Sequence, residues 1–356
     1  MMKIALLTTG TEINGAIRHC YDLAQELAKI GHEVFLLHRP GAWIAAQPQH
    51  GNITLFESPL KRKKRELGRV AQFLRGKGCG VVHTHLSGAS FFGVLLARLY
   101  GFRSVATCHM PHFQPHWWWN DHVIVPCNSV ARFQRFMNWV PRKRMSIIPN
   151  FINPDRLSCS VSRVQAREQL GVSQSSFLIG TIGTLEARKG FQYLAQAVTK
   201  LRYAGEDVQL LSVGPQEDSY ANIIRQFIDE QSMTEHIKLL GRRTDIPEIL
   251  RAMDCACLPS LREVMPISLL EAMGAGVPAL ATNVGGVPDC IRSDIDGMLV
   301  PPKNADALMR VIKSWIDEPD KVQRLGKQAQ QSMRERFGPA VLVPRIVEVY
   351  QRFMPK

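Results

Sequence analysis

The chain has 356 residues, of which 45% are hydrophobic and 21% charged, and its formal net charge is +13. Such a chain is long enough for two globular domains, and we find no low-complexity segment in it. No run of 18 or more apolar residues predicts a membrane-spanning helix, and the first residues lack the pattern of a secretory signal peptide, so we expect a cytoplasmic protein.

The excess positive charge lies entirely in the first half of the chain. Residues 1–170 hold 22 Lys and Arg against 9 Asp and Glu, whereas residues 171–356 hold 22 of each kind. This asymmetry predicts an anionic partner for the first half, such as a membrane surface, a phosphorylated acceptor or nucleic acid. We expect no nucleic acid, because the chain has no zinc-finger spacing, aromatic RNP strand or basic leucine zipper.

The first elements predict a parallel, doubly wound sheet. Residues 3–8 form an apolar strand, residues 16–29 have helical spacing, and residues 33–38 form the next strand. Gly15, where the helix begins, would leave backbone amides open to a phosphate or a sugar. An ordinary helix start explains this glycine equally well.

A basic run, residues 61–65, opens the next helical segment. Apolar side chains at residues 60, 67, 70, 73 and 74 fall on one helical face. The run is either the solvated end of a surface helix or a site for anionic lipid headgroups, worth about 1 kcal/mol per basic residue near the surface.

Two predicted strands end in histidine, and ligands of doubly wound sheets bind at the carboxyl ends of strands. The predicted strand at residues 81–85 contains His83 and ends at His85. The predicted strand at residues 104–109 ends at His109. We take His109 as the candidate for ligand binding, with a hydrogen-bonded core histidine as the alternative. His83 and His85 are expected to be core residues.

The segment from His109 to His122 is rich in histidine and tryptophan. Its four histidines do not predict a zinc site, because prolines interrupt the run and no cysteine or acidic residue stands at metal spacing. Residues 117–119 are three consecutive tryptophans, which cannot all face a core. They predict either an exposed loop that contacts a ligand or side chains packed beneath a long loop.

The second half repeats the alternation of strands and helices. Residues 177–182, 208–213 and 238–241 are predicted strands, and residues 191–203 are a predicted helix. The turns that follow the strands carry four residues of interest. These are Arg188, Lys189, Gly214 and Arg242.

The stretch from residue 262 to residue 289 presents an electrostatic problem. Pro266 predicts the start of a helix over residues 267–275 that is apolar on nearly every side and therefore buried. Yet Glu271 lies inside this helix and Glu263 just before it, and an unpaired buried carboxylate costs several kcal/mol, on the order of the charge desolvation penalty. Either Glu271 pairs with a structural arginine and Glu263 is solvated, or both accept hydrogen bonds from ligand hydroxyls while the first amides of the helix face an anion.

These residues carry a resemblance to a known family. Glu263, seven residues, Glu271, the sequence AMGAGVP and a Gly-Gly turn resemble the E-x7-E signature of the retaining glycosyltransferases of family 4 (glycosyltransferase group 1). The resemblance implies the GT-B fold, an α/β fold of two Rossmann-like doubly wound parallel-sheet domains facing each other across a cleft. Residues 1–165 would be the acceptor-binding domain and residues 166–337 the nucleotide-sugar-binding domain. The last helix, residues 338–356, would pack back on the first domain.

The resemblance also implies roles for single residues. Glu271 would bind the ribose, Glu263 and the amides of Met265, Ile267 and Ser268 the donor sugar, Lys189 and Arg188 the diphosphate, and His109 would orient the sugar. Gly15, Gly214 and Arg242 complete the candidate binding residues. The chain departs from the family pattern at Thr184, where the family has an arginine that Arg188 would replace, and at Asn14, where the family has a glycine.

The implied activity is transfer of a sugar, with retention at the anomeric carbon, from a nucleotide-diphosphate sugar that is UDP- or GDP-linked. The acceptor would be a glycan or a lipid-linked glycan of cell-envelope polysaccharide or lipopolysaccharide synthesis, reached by a protein peripheral to the cytoplasmic membrane. The resemblance implies no metal and no cofactor. A nucleotide-sugar epimerase on the same fold and a non-catalytic peripheral membrane protein are the alternatives.

Overall fold

A computed structural model describes residues 1–353. These residues form two compact units. The first consists of residues 1–152 together with residues 339–353, and the second is Asn153–Gly338. No helix within residues 1–353 is both long enough and apolar enough to cross a membrane.

The first unit is built on a seven-stranded sheet. Its strands are β1 (Lys3–Thr8), β2 (Glu33–His38), β3 (Ile53–Glu57), β4 (Val81–His85), β5 (Arg103–Thr107), β6 (His122–Val125) and β7 (Met145–Ile147). The strands lie side by side in the order β3-β2-β1-β4-β5-β6-β7, and neighbours pair in parallel. The parallel, doubly wound arrangement predicted from the first elements is therefore confirmed for this sheet.

Helices connect these strands. They are α1 (Gly15–Lys29), α2 (Lys64–Gly76), α3 (Ser87–Tyr100) and α4 (Asn128–Met137). A 3-10 turn, Pro115–Trp119, lies in the long connection between β5 and β6. The central strands are buried along nearly their whole length, as parallel strands covered by helices on both faces must be.

The second unit contains a six-stranded parallel sheet. Its strands are β8 (Phe177–Ile182), β9 (Val208–Val213), β10 (Ile237–Gly241), β11 (Cys255–Leu258), β12 (Ala279–Thr282) and β13 (Gly297–Val300). They are ordered β10-β9-β8-β11-β12-β13. The helices of this unit are α5 (Arg163–Gln169), α6 (Phe191–Tyr203), α7 (Asp218–Glu230), α8 (Ile246–Ala252), α9 (Ile267–Gly274), α10 (Val287–Cys290), α11 (Ala305–Asp317) and α12 (Pro319–Phe337).

The division between the units falls at Ile152, before the predicted boundary at residue 165. The segment in between belongs to the second unit because its side chains bind there. Arg163 donates to a carboxylate oxygen of Asp254 at 2.5 Å and to the carbonyl oxygen of Met253 at 2.8 Å.

The last helix, α13 (Pro339–Gln351), belongs to the first unit. Tyr350 is fully buried, and its hydroxyl lies 2.6 Å from Nδ1 of His83 on β4. Arg345 donates to the carbonyl oxygen of Ile147 on β7 at 2.8 Å. The sequence predicted this return for residues 338–356, of which 354–356 lie outside the described residues.

Candidate active site

The turns at the carboxyl ends of β8 and β9 are held together by backbone contacts. Gly183 donates to the carbonyl oxygen of Val213 and Gly214 to that of Gly241, both at 2.8 Å. A Cβ on Gly214, whose φ is +143°, would lie 2.2 Å from the carbonyl oxygen of Gly183. Only glycine permits this approach, which brings the two turns together at the edge of the sheet where ligands of such sheets bind.

Lys189 and Glu263 form an ion pair at this edge of the sheet. The ammonium nitrogen lies 2.5 Å from Oε1 of Glu263, and the hydroxyl of Ser260 donates to the same oxygen at 2.9 Å. Both side chains are largely buried, with exposed fractions of 18% and 7%. A Cβ placed on Gly183 would be 3.7 Å from the ammonium nitrogen, so Lys189 stands beside the glycine turn.

Arg188 pairs with a different carboxylate, that of Glu186. Its guanidinium binds the carboxylate of Glu186 at 2.8 Å and donates to the carbonyl oxygen of Arg262 at 3.5 Å. The side chain is 42% exposed, and Thr184 in the same turn is exposed as well. The structure thus brings Lys189 to Glu263 but engages Arg188, the predicted replacement for the family arginine, with a neighbouring carboxylate.

Helix α9 begins with uncapped backbone amides. Pro266 is the N-cap residue and supplies no side-chain cap, and the amides of Ile267 and Ser268 fall in the first turn, where a helix offers them no acceptor. Met265 just before it is 5% exposed. The start of this helix therefore carries partial positive charge that favours an anionic or hydroxyl ligand.

Glu271 is buried and paired with arginine. The residue is 8% exposed, and its Oε1 forms a short ion pair with Arg156 from the 3-10 turn Pro154–Leu157. Of the two explanations that the sequence left open, the arginine partner is therefore present. Sequence reasoning missed Arg156 because 115 positions separate it from Glu271, and no local pattern links the two.

Two further predicted residues lie at strand ends. Arg242 follows β10 and is exposed at the same edge of the sheet as Gly214. The amide of Gly214 donates to the carbonyl oxygen of Gly241, the residue just before Arg242.

Gly15 opens α1 in the first unit, but the side chain of Asn14 accepts hydrogen bonds from the amides of Ala16 and Ile17 at 3.0 and 3.1 Å. Of the two interpretations of Gly15 that the sequence left open, these hydrogen bonds favour an ordinary helix start, because asparagine caps the helix itself.

His109 is one of four histidines in contact in the first unit. Its Nε2 lies 3.0 Å from Nδ1 of His85, and its ring centre lies 5.6 Å from that of His19. His83, the fourth member, lies between Tyr350 and Thr107, and is fully buried like His85, as the sequence predicted. Within residues 1–353, no group of three or more His, Cys, Asp or Glu side chains is arranged to hold a metal ion.

Burial keeps this histidine cluster neutral at pH 7. It lowers the pKa of His83 to about 3 and that of His19 to about 4, and it holds the pKa values of His85 and His109 well below their usual range. Nδ1 of His19 and Nε2 of His85 are buried without a hydrogen-bond partner. A neutral imidazole at position 109 can exchange a hydrogen bond with a sugar hydroxyl without adding charge.

The stability of the protein is expected to fall as the pH drops below 6.5. Above that pH the histidines are neutral in both the folded and the unfolded protein. Below it the unfolded chain binds protons, whereas the buried histidines of the folded protein stay neutral down to about pH 3 or 4. Each such histidine removes up to about 1.4 kcal/mol per pH unit in this range. Urea unfolding at pH 7.0, 6.2 and 5.5 measures the slope, which His83→Gln should reduce; a midpoint that does not change with pH would contradict the prediction.

Gly285 fixes the backbone of Glu263. A Cβ on Gly285 would lie 1.7 Å from the carbonyl oxygen of Glu263, and its φ of +57° disfavours other residues. We expect Gly285→Ala to lower both the melting temperature and the affinity for ligands of this site. Gly205→Ala is the matched control, since its φ of +88° carries the same backbone strain but nothing lies within 4 Å. The difference should exceed about 1 kcal/mol of unfolding free energy; equal losses would show that the contact is unimportant.

Two family models match almost the whole chain. The model described as Glycosyltransferase Family 4 matches residues 13–156, and the model described as Glycosyl transferases group 1 matches residues 162–332. The second match covers the glycine turns, Lys189 and both glutamates.

Individual relatives are more distant. The chain is 26% identical to the UDP-Gal:alpha-D-GlcNAc-diphosphoundecaprenol alpha-1,3-galactosyltransferase of Escherichia coli, over 82% of this chain and 80% of that protein. It is also 26% identical to the N-acetyl-alpha-D-glucosaminyl L-malate synthase of Bacillus anthracis, over 59% of this chain and 54% of that protein.

Solved structures share the fold. A glycosyltransferase from Rickettsia africae superimposes with a TM-score of 0.88 at 18% identity, covering 99% of this chain and 98% of the other. HepE of Anabaena, crystallised with UDP, gives 0.86 at 20% identity, covering 99% of this chain and all of the other.

Proposed function

This chain belongs to the glycosyl transferases of group 1, and on that premise we propose that it moves a sugar from a nucleotide-diphosphate sugar to a glycan or lipid-linked acceptor with retention at the anomeric carbon. It is a glycosyltransferase with the GT-B fold. The observation that carries the finer proposal is the Lys189–Glu263 pair beside the Gly183 turn.

The pair supplies two of the groups that such a transfer needs. When the bond between the sugar and the diphosphate breaks, negative charge develops on the leaving phosphate, and the fixed ammonium of Lys189 stabilises it. Glu263 accepts hydrogen bonds from the donor sugar, next to the amides of Met265, Ile267 and Ser268. The leaving phosphate itself takes the proton of the acceptor hydroxyl, so we assign no general base to the protein.

Glu271 is proposed to bind the ribose hydroxyls. Its carboxylate forms an ion pair with Arg156, and hydrogen bonds to a charged acceptor are worth about 1.5 to 3 kcal/mol each. Gly214 and Arg242 would contact the nucleotide from the neighbouring turns. His109 is proposed to orient the sugar as a neutral imidazole. Arg188 and Gly15 receive weaker support, because Glu186 already pairs with Arg188 and Asn14 already binds the amide that follows Gly15.

The donor is proposed to be UDP- or GDP-linked, bound without a metal or a cofactor. UDP has priority because the Escherichia coli relative is named for UDP-Gal. The same name, which includes a diphosphoundecaprenol, supports a lipid-linked acceptor for this chain and a place in cell-envelope polysaccharide or lipopolysaccharide synthesis.

We also propose that the protein associates with the inner face of the cytoplasmic membrane, because the first half of the chain is strongly basic. Residues 61–65 are exposed and carry five positive charges. Each would contribute about 1 kcal/mol near an anionic surface.

A thermal-shift screen with UDP-, GDP-, ADP- and CMP-linked sugars, each with and without EDTA, tests the donor site. Ligand at 100 times its Kd should add about 2.7 kcal/mol of stability. We expect one diphosphate sugar to raise the melting temperature with EDTA present. NMR of the glycosylated product then reads the anomeric configuration. No shift with any sugar would exclude the proposed donor site, and product formation without an acceptor would favour an epimerase.

A further inference from the structure

Helix α3 presents an apolar groove that the proposed mechanism does not use. Phe91, Val94, Leu95 and Arg98 follow one face of the helix at the spacing i, i+3, i+4 and i+7, and Trp119 forms the opposite wall. The groove encloses about 430 Å³. This volume is within the range of small-molecule sites, about 300 to 1,000 Å³, and too small for a folded domain.

Arginines stand around the apolar walls. The guanidinium of Arg62 lies 4.9 Å from the centre of the Phe91 ring, and Arg98 donates to the carbonyl oxygen of Trp119 at 3.1 Å. The guanidinium of Arg144 lies 5.3 Å from the ring centre of Trp118, which is on the same 3-10 turn as Trp119. Trp118 and Trp119 remain 43% and 46% exposed, whereas Trp117 is buried. Half-exposed tryptophans beside arginines are typical of the boundary between hydrocarbon and charged headgroups.

The chemistry of the lining favours a hydrocarbon chain over a sugar. The walls contain no carboxylate, amide or hydroxyl side chain, which a sugar site needs to bind hydroxyl groups. Arg98 is the only charged side chain of the lining, and Arg62 stands beside Phe91. An apolar chain ending in an anion complements both features.

The groove also has a direction. Helix α3 starts just after β4, and Ser87 in its first turn makes a short hydrogen bond with Gln114. Phe91 is about one turn further along, and Arg98 lies about 10 Å beyond it at 1.5 Å per residue. The end marked by Arg62 and Phe91 is thus the one nearer to the carboxyl edge of the sheet, where His85 ends β4.

We propose that this groove binds the hydrocarbon chain of a phosphorylated lipid, with the phosphate beside Arg62. The inference rests on the proposed function and deepens it, because such a lipid would be the anchor of the acceptor. The phosphate end would then lie toward the edge of the sheet that carries the histidine cluster.

Calorimetric titration with dodecyl phosphate below its micelle concentration tests the site on the full-length protein. Dodecyl maltoside and inorganic phosphate serve as probes of the chain alone and the anion alone. Leu95→Trp fills the groove, and Leu99→Trp on the same helix, at a position that is 62% exposed and outside the lining, is its control. Arg62→Gln removes the anion contact, with Lys77→Gln as its control, because Lys77 is exposed and lies outside the basic run of residues 61–65.

We expect dodecyl phosphate to bind one to one and more tightly than either partial probe. Leu95→Trp and Arg62→Gln should each weaken binding by about tenfold or more, and the two controls should not. Absence of binding, equal weakening by Leu95→Trp and Leu99→Trp, or equal affinity for the maltoside would overturn the proposal. The proposal would also be overturned if the protein did not bind dodecyl phosphate but bound phosphatidylglycerol vesicles, and Leu95→Trp lost that binding. This result would assign the groove to membrane docking.

A titration with UDP on the same samples separates this inference from the proposed function. Failure to bind UDP while dodecyl phosphate binds would remove the donor site and leave a lipid site. Binding of UDP without dodecyl phosphate would retain the transferase and remove the groove.

Discussion

Replacing Lys189 with methionine is expected to lower kcat by about 10²- to 10³-fold, the usual loss when a fixed group that stabilises transition-state charge is removed. The ammonium lies beside the glycine turn after β8, so its charge acts where the leaving diphosphate is proposed to lie. Initial rates of acceptor-dependent UDP release measure the effect. Lys200→Met is the matched control, because Lys200 also forms a 2.5 Å ion pair, with Asp306, but on an exposed surface.

A structural role of the same pair predicts a different outcome. Lys189→Met leaves the largely buried carboxylate of Glu263 without its ammonium, which destabilises the protein by itself. The double variant Lys189→Met with Glu263→Gln removes both charges. If the pair is only structural, the double variant should regain both its melting temperature and its activity; with the proposed role it regains the melting temperature alone.

Replacing Glu271 with glutamine is expected to weaken the binding of UDP by about tenfold to a hundredfold. The change keeps the shape of the side chain but removes the charge that strengthens hydrogen bonds from the ribose hydroxyls. Calorimetric titration of UDP measures the loss. 2′,3′-Dideoxy-UDP provides the decisive comparison, because the wild-type protein should lose affinity for it, whereas Glu271→Gln, which makes only weaker neutral hydrogen bonds, should discriminate much less between UDP and its dideoxy analogue.

Arg156→Met separates the ribose contact from the ion pair. Breaking a buried pair by removing one partner costs about 3 to 5 kcal/mol of stability in general. Arg156→Met and Glu271→Gln should both lower the melting temperature, but only Glu271→Gln should strongly reduce the discrimination between the two nucleotides. An undiminished preference for UDP in Glu271→Gln would leave Glu271 as the partner of Arg156 and nothing more.

Local signals sufficed to predict most of the fold. Apolar runs of strand length alternate with helical periods, and Pro266 and Gly276 bracket a buried helix that the structure places at Ile267–Gly274. The predicted domain boundary at residue 165 differs from the division after Ile152, because residues 153–165 contain no strand or long helix that would show to which unit they belong. Their attachment depends on Arg163 reaching Asp254, a contact between residues 91 positions apart.

The structure brings two of the candidate site residues, Lys189 and Glu263, together as an ion pair, and this pairing was not predictable from the sequence. Glu263, Glu271 and Lys189 were identified by residue type, spacing and family resemblance. The partner of each carboxylate is set by how the turns meet, which only the folded sheet determines. Thus Arg188 was expected beside Lys189, yet its side chain turns to Glu186, and Asn14 caps the helix end at which Gly15 was a candidate binding residue.

The return of α13 to the first unit has a consequence for synthesis of the chain. Ile346, Val349 and Tyr350 are at most 1% exposed, so the first unit cannot complete its core until Tyr350 has left the ribosome. The second unit, Asn153–Gly338, is continuous and can finish folding earlier. The unit that is translated first is therefore expected to become stable last, and removal of residues 345–353 should destabilise it although they lie far from it in the sequence.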